Sequence, residues 1–358
     1  LPDTLTLSVD AMGGDHGPSV VIPALNIAAK AAGGEGIRFL LHGDQAKIAP
    51  ELARLPALAP LCDIRHTDKA ISMEEKPAQA MRRGKGSSVW NAVESVKAGE
   101  AHAAISAGNT GALMAISMLI LRLGADISRP ALSASWPTTK GVTTVLDVGA
   151  NVESDAEQLV EFAIMGAAFH KAIHGVGRPS VGLLNVGSED QKGHEEVREA
   201  HALLRQTAFE FDYHGFVEGD DISKGTVDVV VTDGFTGNVL LKTAEGVARF
   251  VGAELRTALT SGPLAMAGAL LAGGALKSLR ARMDPGGVNG APLLGLNGIV
   301  VKSHGGADAK GYAAAVKVAI NLARSDFAAE VARNVKQLTA ALAAPAAKPV
   351  PPPVESPE

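Results

Sequence analysis

The stretch LTLSVDAMGGDHGP, Leu5–Pro18, sets a short apolar run directly against a turn of glycine, aspartate and histidine. The pattern recurs along the chain. Apolar runs predict strands at Leu5–Val9, Ile37–His42, His102–Ser106, Ala131–Ser135, Thr143–Val148, Ser180–Val186, Val227–Thr232 and Gly298–Lys302. Several are apolar almost throughout, as strands covered on both faces should be. Helical patterns lie between them. Val89, Ala92, Val93 and Val96 share a face, opened by Ser87 or Ser88 and closed at Gly99. Ser154 and Glu157 have capping-box spacing before an apolar face of Leu159, Phe162, Ala163, Gly166, Phe169 and Ile173. Gly237–Leu259 and Asp308–Leu342 read as two further long helices. The alternation predicts a three-layer α/β/α, Rossmann-like domain with a mostly parallel sheet. It spans residues 1–344 and carries an inserted helical arm with a Gly/Pro loop at 253–296. A proline-rich segment, 345–358, cannot build a core and is expected to be a disordered tail.

Composition removes several function classes. One cysteine in 358 residues permits no internal disulfide and no cysteine-based zinc site. Cys62 reads as a small buried hydrophobe. A net charge of -5 gives no electrostatic footprint for nucleic acid. No signal peptide opens the chain, so a cytoplasmic protein is expected. No charged residue occurs between Arg256 and Lys277, but Thr257, Thr260, Ser261, Pro263 and several glycines make this a poor membrane span. It fits a membrane surface or a second helix better. No P-loop, complete G-x-G-x-x-G, G-x-S-x-G elbow or zincin helix is present; Gly84-Lys-Gly86 lacks its third glycine and His194-Glu195-Glu196 its second histidine. No cofactor and no metal are expected.

Forty glycines, about 11% against the usual ~7%, gather just after the strands. The turns read VDAMGGDHGP from Val9, LLHGD from Leu40, ISAGNTG from Ile105, LDVGAN from Leu146, LNVGSE from Leu184, VTDGFTGN from Val231 and VKSHGG from Val301. Ligands of open α/β sheets bind at strand carboxyl ends, where glycine lets backbone N–H groups approach an anion. Ordinary turn chemistry also favours these residues, but seven such turns point to a shared polar cleft. Its candidates are Asp10, Gly13, Gly14, Asp15, His16, Gly108, Asn109, Thr110, Asn151, Asn185, Gly187, Asp233, Gly234, Thr236, Gly237, Asn238 and His304. Asp233 can also cap the following helix, and His304 can equally be a structural histidine.

Taken together the turns resemble the phosphate acyltransferase family, the acyl-[acyl-carrier-protein]:phosphate transacylases of bacterial phospholipid synthesis. The matching pieces are VDAMGGDHGP (Val9–Pro18), SMEEKPAQAMRRGKGSSVWNA (Ser72–Ala92), SAGNTGALM (Ser106–Met114), LDVGAN (Leu146–Asn151), LLNVGSEDQKG (Leu183–Gly193), VTDGFTGNVLLKTAEG (Val231–Gly246) and SHGGADAKGY (Ser303–Tyr312). The resemblance implies a sheet of the isocitrate/isopropylmalate dehydrogenase type. It also implies transfer of a long-chain acyl group from acyl-carrier protein to inorganic phosphate.

The residues suit that reaction. Phosphate is already an anionic nucleophile, so no Ser–His or Cys–His pair is required. The site must hold phosphate beside a thioester carbonyl and stabilise the oxyanion. Lys192 leads as catalytic candidate, with His16 and Asn238. Lys192 follows a strand-end turn and precedes a helix expected near Gly193, and the resemblance points to the same position; a solvated lysine at a helix start is the competing reading. On the arm, Leu264, Leu270 and Leu271 lie near Lys277, Arg280 and Arg282, with Arg256 upstream. Such a segment fits a peripheral membrane contact, an acidic carrier protein or a homodimer interface. The alternatives are a phosphate acetyltransferase-like enzyme using acyl-CoA, a dehydrogenase on the same architecture, and a non-catalytic carrier-protein scaffold. The dehydrogenase reading lacks a clear Arg-rich site and paired metal-binding aspartates.

Overall fold

The computed structural model describes residues 4–33, 36–124, 126–282 and 289–343, with backbone alone for 278–282. The expected tail at 345–358 lies outside the described residues. Among the described residues eleven strands form one sheet: β1 (Leu5–Asp10), β2 (Ile37–Gly43), β3 (Cys62–His66), β4 (Ala103–Ser106), β5 (Ala131–Thr138), β6 (Gly141–Leu146), β7 (Ser180–Leu184), β8 (Asp212–Val217), β9 (Val229–Val231), β10 (Ala291–Leu294) and β11 (Ile299–Lys302). The helices are α1 (Pro18–Ala31), α2 (Gln45–Ala53), α3 (Pro77–Arg83), α4 (Ser88–Lys97), α5 (Thr110–Leu121), α6 (Ala156–His174), α7 (Glu195–Gln206), α8 (Gly219–Lys224), α9 (Gly234–Leu259), α10 (Pro263–Leu271), α11 (Gly273–Arg282), α12 (Ala309–Arg324) and α13 (Phe327–Ala343).

The strand order is β3-β2-β1-β4-β11-β10-β5-β6-β9-β7-β8. Pairing is parallel from β3 to β11 and again from β6 to β8. Between these blocks β11, β10, β5 and β6 pair antiparallel in succession. An odd number of reversals makes the two parallel blocks run in opposite directions. The three-layer architecture stands as expected. Leu7, Val9 and Phe39 pack with Leu25 of α1 and Val316 of α12, while Val93 of α4 and Ile116 of α5 build a separate core with Val300. In the second block Phe162 and Phe169 of α6 pack with Val229, Leu204 and Leu338, and Val145 and Val230 meet Ile222 on the other side.

Three strands escaped the apolar-run pattern, for one physical reason each. The two outermost strands, β3 (CDIRH) and β8 (DYHGFV), have one free edge and carry polar residues that a buried strand would not. Strand β10 (APLL) has only four residues, one of them proline, and falls within the segment expected to be a Gly/Pro loop. The long pattern Asp308–Leu342 is two helices, because Ser325 ends α12 and accepts a hydrogen bond from the Phe327 N–H that starts α13. The period survives the break because Val316 and Ile320 before it and Val331, Val335 and Leu338 after it are all buried against the body of the domain. The capping box of α6 sits one residue later than expected, on Asp155 and Gln158. Cys62 is half-buried on β3, and burial pushes its thiol up to about 12.

Candidate functional site

The first group of turns closes over β1, β4 and β11. Asp10 ends β1 and is buried. Ser106 donates to its Oδ2 at 2.6 Å, and the Met12 N–H to its Oδ1 at 3.2 Å. Burial pushes the Asp10 carboxyl above its ordinary range, while hydrogen bonds from Ser106 and Ser88 pull it back. The Ser106 hydroxyl also accepts the Gly108 N–H at 3.0 Å. A Cβ on Gly13 would stand 2.5 Å from Asp10 Oδ2 and 2.7 Å from the Gly108 nitrogen, so only glycine fits this crossing. The Asp15 N–H donates to the Gly305 carbonyl, and the Ser303 N–H to the Ser106 carbonyl, which ties the three turns together. Asn109 caps α5 through the Ala112 N–H, and its amide donates to the Met73 and Glu75 carbonyls at 2.7 and 2.9 Å. It therefore organises the turn and holds the Ser72–Glu75 loop over it. Asp15, His16, Thr110 and His304 are exposed around this rim; His304 Nδ1 accepts the Gly306 N–H.

The second group closes over β6 and β9. Asp147, immediately after β6, is buried and accepts hydrogen bonds from the backbone N–H groups of Leu132, Gly149, Ala150 and Asn151, between 2.7 and 3.1 Å. Burial raises its pKa and these bonds oppose the rise. The Asn151 amide donates to Asp147 and to the Pro130 carbonyl. Asp233 caps α9 through the Thr236 N–H at 2.8 Å, and the Thr236 hydroxyl donates back to it. Gly234 and Gly237 are buried in the first turn of α9; a Cβ on Gly237 would collide with the Asp147 carbonyl. Asn238 is exposed, with its side chain 3.6 Å from where a Cβ on Gly149 would be.

Beside this group, the turn after β7 presents Lys192. The Asn185 amide donates to the Lys192 carbonyl at 3.0 Å and its Oδ1 accepts the Val186 N–H, which closes the loop. The aliphatic stem of Lys192 lies across Gly187, and its ammonium pairs with Glu189 at 2.8 Å. That pairing holds Lys192 as a cation, with its pKa raised. Helix α7 begins at Glu195 with His194 as its cap, two residues later than expected.

The polar turns fall into two groups. Asp10, Gly13, Gly14, Asp15, His16, Gly108, Asn109, Thr110 and His304 belong to the turns after β1, β4 and β11. Asn151, Asp233, Gly234, Thr236, Gly237 and Asn238 belong to the turns after β6 and β9, with Asn185, Gly187 and Lys192 on the neighbouring β7 turn. Helix α9 connects the two. Its Lys242, nine residues beyond Asp233 and so about 14 Å along the axis, is near enough to Lys302 at the end of β11 to lower the latter's pKa as a like charge.

Sequence reasoning missed Ser106, Asp147 and Lys302. All three lay inside quoted turns, and for Ser106 and Asp147 polarity among apolar neighbours was the available signal. A lysine closing a strand reads as a solvated cation; Lys302 is 7% exposed.

Helices α10 and α11 form the arm, α10 packing on α9 and α11. Leu264, Leu270 and Leu271 are 84–90% exposed, and Arg256 and Lys277 are exposed near them. The side chains of Arg280 and Arg282 lie outside the described residues. Among the described residues no helix is long and apolar enough to cross a membrane, and no group of three or more His, Cys, Asp or Glu side chains could hold a metal ion.

The fold is of the phosphotransacylase type. A phosphotransacetylase from Streptococcus pyogenes superposes with a TM-score of 0.57 at 15% identity, covering 90% of this chain and 95% of that one. One from Staphylococcus aureus gives 0.55 at 17%, covering 89% and 94%. The model of the fatty acid synthesis protein family matches residues 5–330. Among curated relatives, the phosphate acyltransferase of Caulobacter vibrioides is 72% identical over 96% of this chain and 95% of its own length, and that of Phenylobacterium zucineum 61% identical over 96% and 97%. The chain belongs to the phosphate acyltransferase family.

Proposed function

We propose that this protein transfers a long-chain fatty acyl group from acyl-carrier protein to inorganic phosphate, supplying acyl phosphate for phospholipid synthesis. The observation that carries the reading is the make-up of the turns. They offer glycines that let a ligand approach the chain closely, short amide and hydroxyl side chains and one exposed lysine. Among the described residues, the serine–histidine contact at these turns, Ser95 Oγ with His42 Nε2 at 3.3 Å, is buried away from any ligand. Such a site suits a substrate that is itself the nucleophile. A phosphate oxygen attacks the thioester carbonyl and forms the C–O bond. The tetrahedral oxyanion collapses, the C–S bond breaks, and the carrier thiolate leaves and is protonated from solvent. Lys192 faces the developing negative charge as a fixed cation. Thr236 and Asn238 on the first turn of α9, with Asn151 beside them, orient the thioester end. Asp15, His16, Thr110 and His304 border the phosphate end. Phosphate sits over Gly13, Gly14 and Gly108.

The protein works as a homodimer at the cytoplasmic face of the membrane. Support for the dimer comes from α9, whose Phe235, Val239, Val247, Phe250, Val251 and Leu255 are exposed at helical spacing along one stripe. Support for a peripheral surface contact comes from the exposed leucines of α10 beside Arg256 and Lys277. The test is incubation of the purified protein with long-chain acyl-carrier protein and labelled phosphate, without nucleotide or added metal. A labile acyl phosphate is expected. Product from matched acyl-CoA but not from acyl-carrier protein would replace the donor assignment, and no acyl phosphate from either would overturn the reaction.

A further inference from the structure

Lys302 is the one lysine of the polar turns that the reaction scheme above leaves unused. It closes β11, a strand buried from Val300 onward. Its ammonium donates to the Ala107 carbonyl at 3.3 Å and to the carbonyl of its own neighbour Ser303. No carboxylate stands within salt-bridge distance of it among the described residues, yet Asp10 and Asp15 are near enough to favour its charged form. A buried ammonium is costly, and an aliphatic side chain would fill a strand end without that cost. The charge therefore needs a reason.

The surroundings supply one. This edge of the sheet presents glycine turns suited to an anion, but beneath and beside them lie two carboxylates. Uncompensated, Asp10 and Asp15 would repel a phosphate dianion. Lys302 is the buried cation placed among them. Its two carbonyl bonds also reach both turns that frame the site: Ala107 precedes Gly108, and Ser303 precedes His304. The Gly108 N–H is held by Ser106, and the His304 N–H by Asn289 at 3.1 Å. One ammonium thus fixes the peptide planes on either side.

We propose that Lys302 is a positioning residue for inorganic phosphate: it braces the β4 and β11 turns from beneath and offsets the Asp10 and Asp15 carboxylates, so that the dianion can settle on Gly13, Gly14 and Gly108. The inference rests on the reading that phosphate, and not the acyl donor, occupies this edge. The charged groups near enough to act on Lys302 are Asp10 on β1, Asp15 on the following turn and Lys242 on α9; Tyr312 on α12 is near enough to Asp10 to feel its charge, and His304 and Asp308 follow β11 in the chain. Burial, with Lys242 as a lesser contributor, pushes Lys302 down to about 8.

The experiment compares wild type, Lys302→Met and Lys302→Arg in steady-state assays between about pH 7.5 and 9.5, where inorganic phosphate is already doubly ionised. In the wild type the KM for phosphate should be flat at the lower end and climb toward tenfold per pH unit above the Lys302 pKa. Lys302→Met should raise that KM about tenfold or more at the lower end, abolish the climb, and leave the KM for acyl donor nearly unchanged. Lys302→Arg keeps its charge throughout, so it should recover part of the phosphate affinity and show no alkaline climb. A folded Lys302→Met protein with wild-type KM for phosphate overturns the proposal, as does equal loss in Met and Arg variants. If Lys302→Met does not fold, a flat wild-type phosphate KM to the top of the range overturns it instead. Calorimetric titration of wild type and variants with inorganic phosphate alone separates this proposal from the transfer reaction: weakened phosphate binding in Lys302→Met supports it even if acyl phosphate is never formed.

Discussion

Lys192 stands in solvent, paired with Glu189, on a loop closed by Asn185. An exposed ion pair contributes little to stability, so removing it should be visible in turnover and silent in folding. Lys192→Ala is expected to lower kcat/KM for acyl phosphate formation by about 10²-fold or more with an unchanged melting temperature, measured on the same preparation. Unchanged turnover would sink its catalytic role. His170 has the opposite character. It is buried on α6, shares a hydrogen bond with the Thr144 hydroxyl at 3.0 Å, and has Asp228 3.8 Å away. Burial, with His174 adding repulsion, pushes it from 6.5 down to about 4. A folded-state pKa below the unfolded one means that the stabilisation is complete above about pH 6.5 and is lost as pH falls toward 4. That contributes on the order of 3 kcal/mol to acid lability. In chemical denaturation series across this window, His170→Gln should be less stable at neutral pH but lose less on acidification; parallel curves would refute it. Lys192 was legible in the sequence because a glycine turn announced it. His170 and Lys302 were not, because their significance is burial, which depends on what packs over them.

Among the elements, α9 decides how the two groups of polar turns relate. Its first turn is pressed onto the Asp147 backbone at Gly237, its cap is Asp233, and its Lys242 reaches the neighbourhood of Lys302. Any side chain at position 237 must lift the helix off the β6 turn. Gly237→Ala is therefore expected to cost about 2 kcal/mol or more in stability, as overpacking against backbone does, and to remove activity by displacing Thr236 and Asn238. Asn238→Ala separates the two effects: its side chain is exposed, so stability should change by less than about 0.5 kcal/mol while kcat falls. Equal destabilisation by both variants would place the importance of this turn in folding alone. The sequence showed α9 from its period over Gly237–Leu259; the helix begins three residues earlier, at Gly234, where Asp233 caps it. The strands it was read against were less complete. Buried strands such as VVV at Val229–Val231 identify themselves, whereas β3, β8 and β10 are polar, outermost or broken by proline, and carry no apolar signal.

For the whole molecule the antiparallel β5–β6 pair is decisive: it turns the second parallel block against the first, and α9 links the turns of the two. From Gly246 to Ala258 α9 is exposed on every face, so its apolar stripe is uncovered, Phe250 being 65% exposed. A stripe of that length on one helix suits its counterpart on a second copy, by the isologous contact of a two-fold dimer. The arm extends from the end of the same helix, so a dimer would carry two arms, and their leucines face neither the domain nor α9. Dimer and surface contacts are then separable by mutation. Val247→Glu with Phe250→Glu should shift the sedimenting species from dimer to monomer. Leu270→Glu with Leu271→Glu should leave the dimer intact and abolish co-flotation with vesicles containing anionic lipid, because burying apolar side chains is what holds such a helix at the interface and the nearby Arg256 and Lys277 only add attraction. Raising the salt concentration should weaken flotation of the wild type without eliminating it. Flotation that persists in the Leu270→Glu, Leu271→Glu protein would move the surface contact off the arm, and monomerisation by the arm variant would make the arm itself the subunit interface.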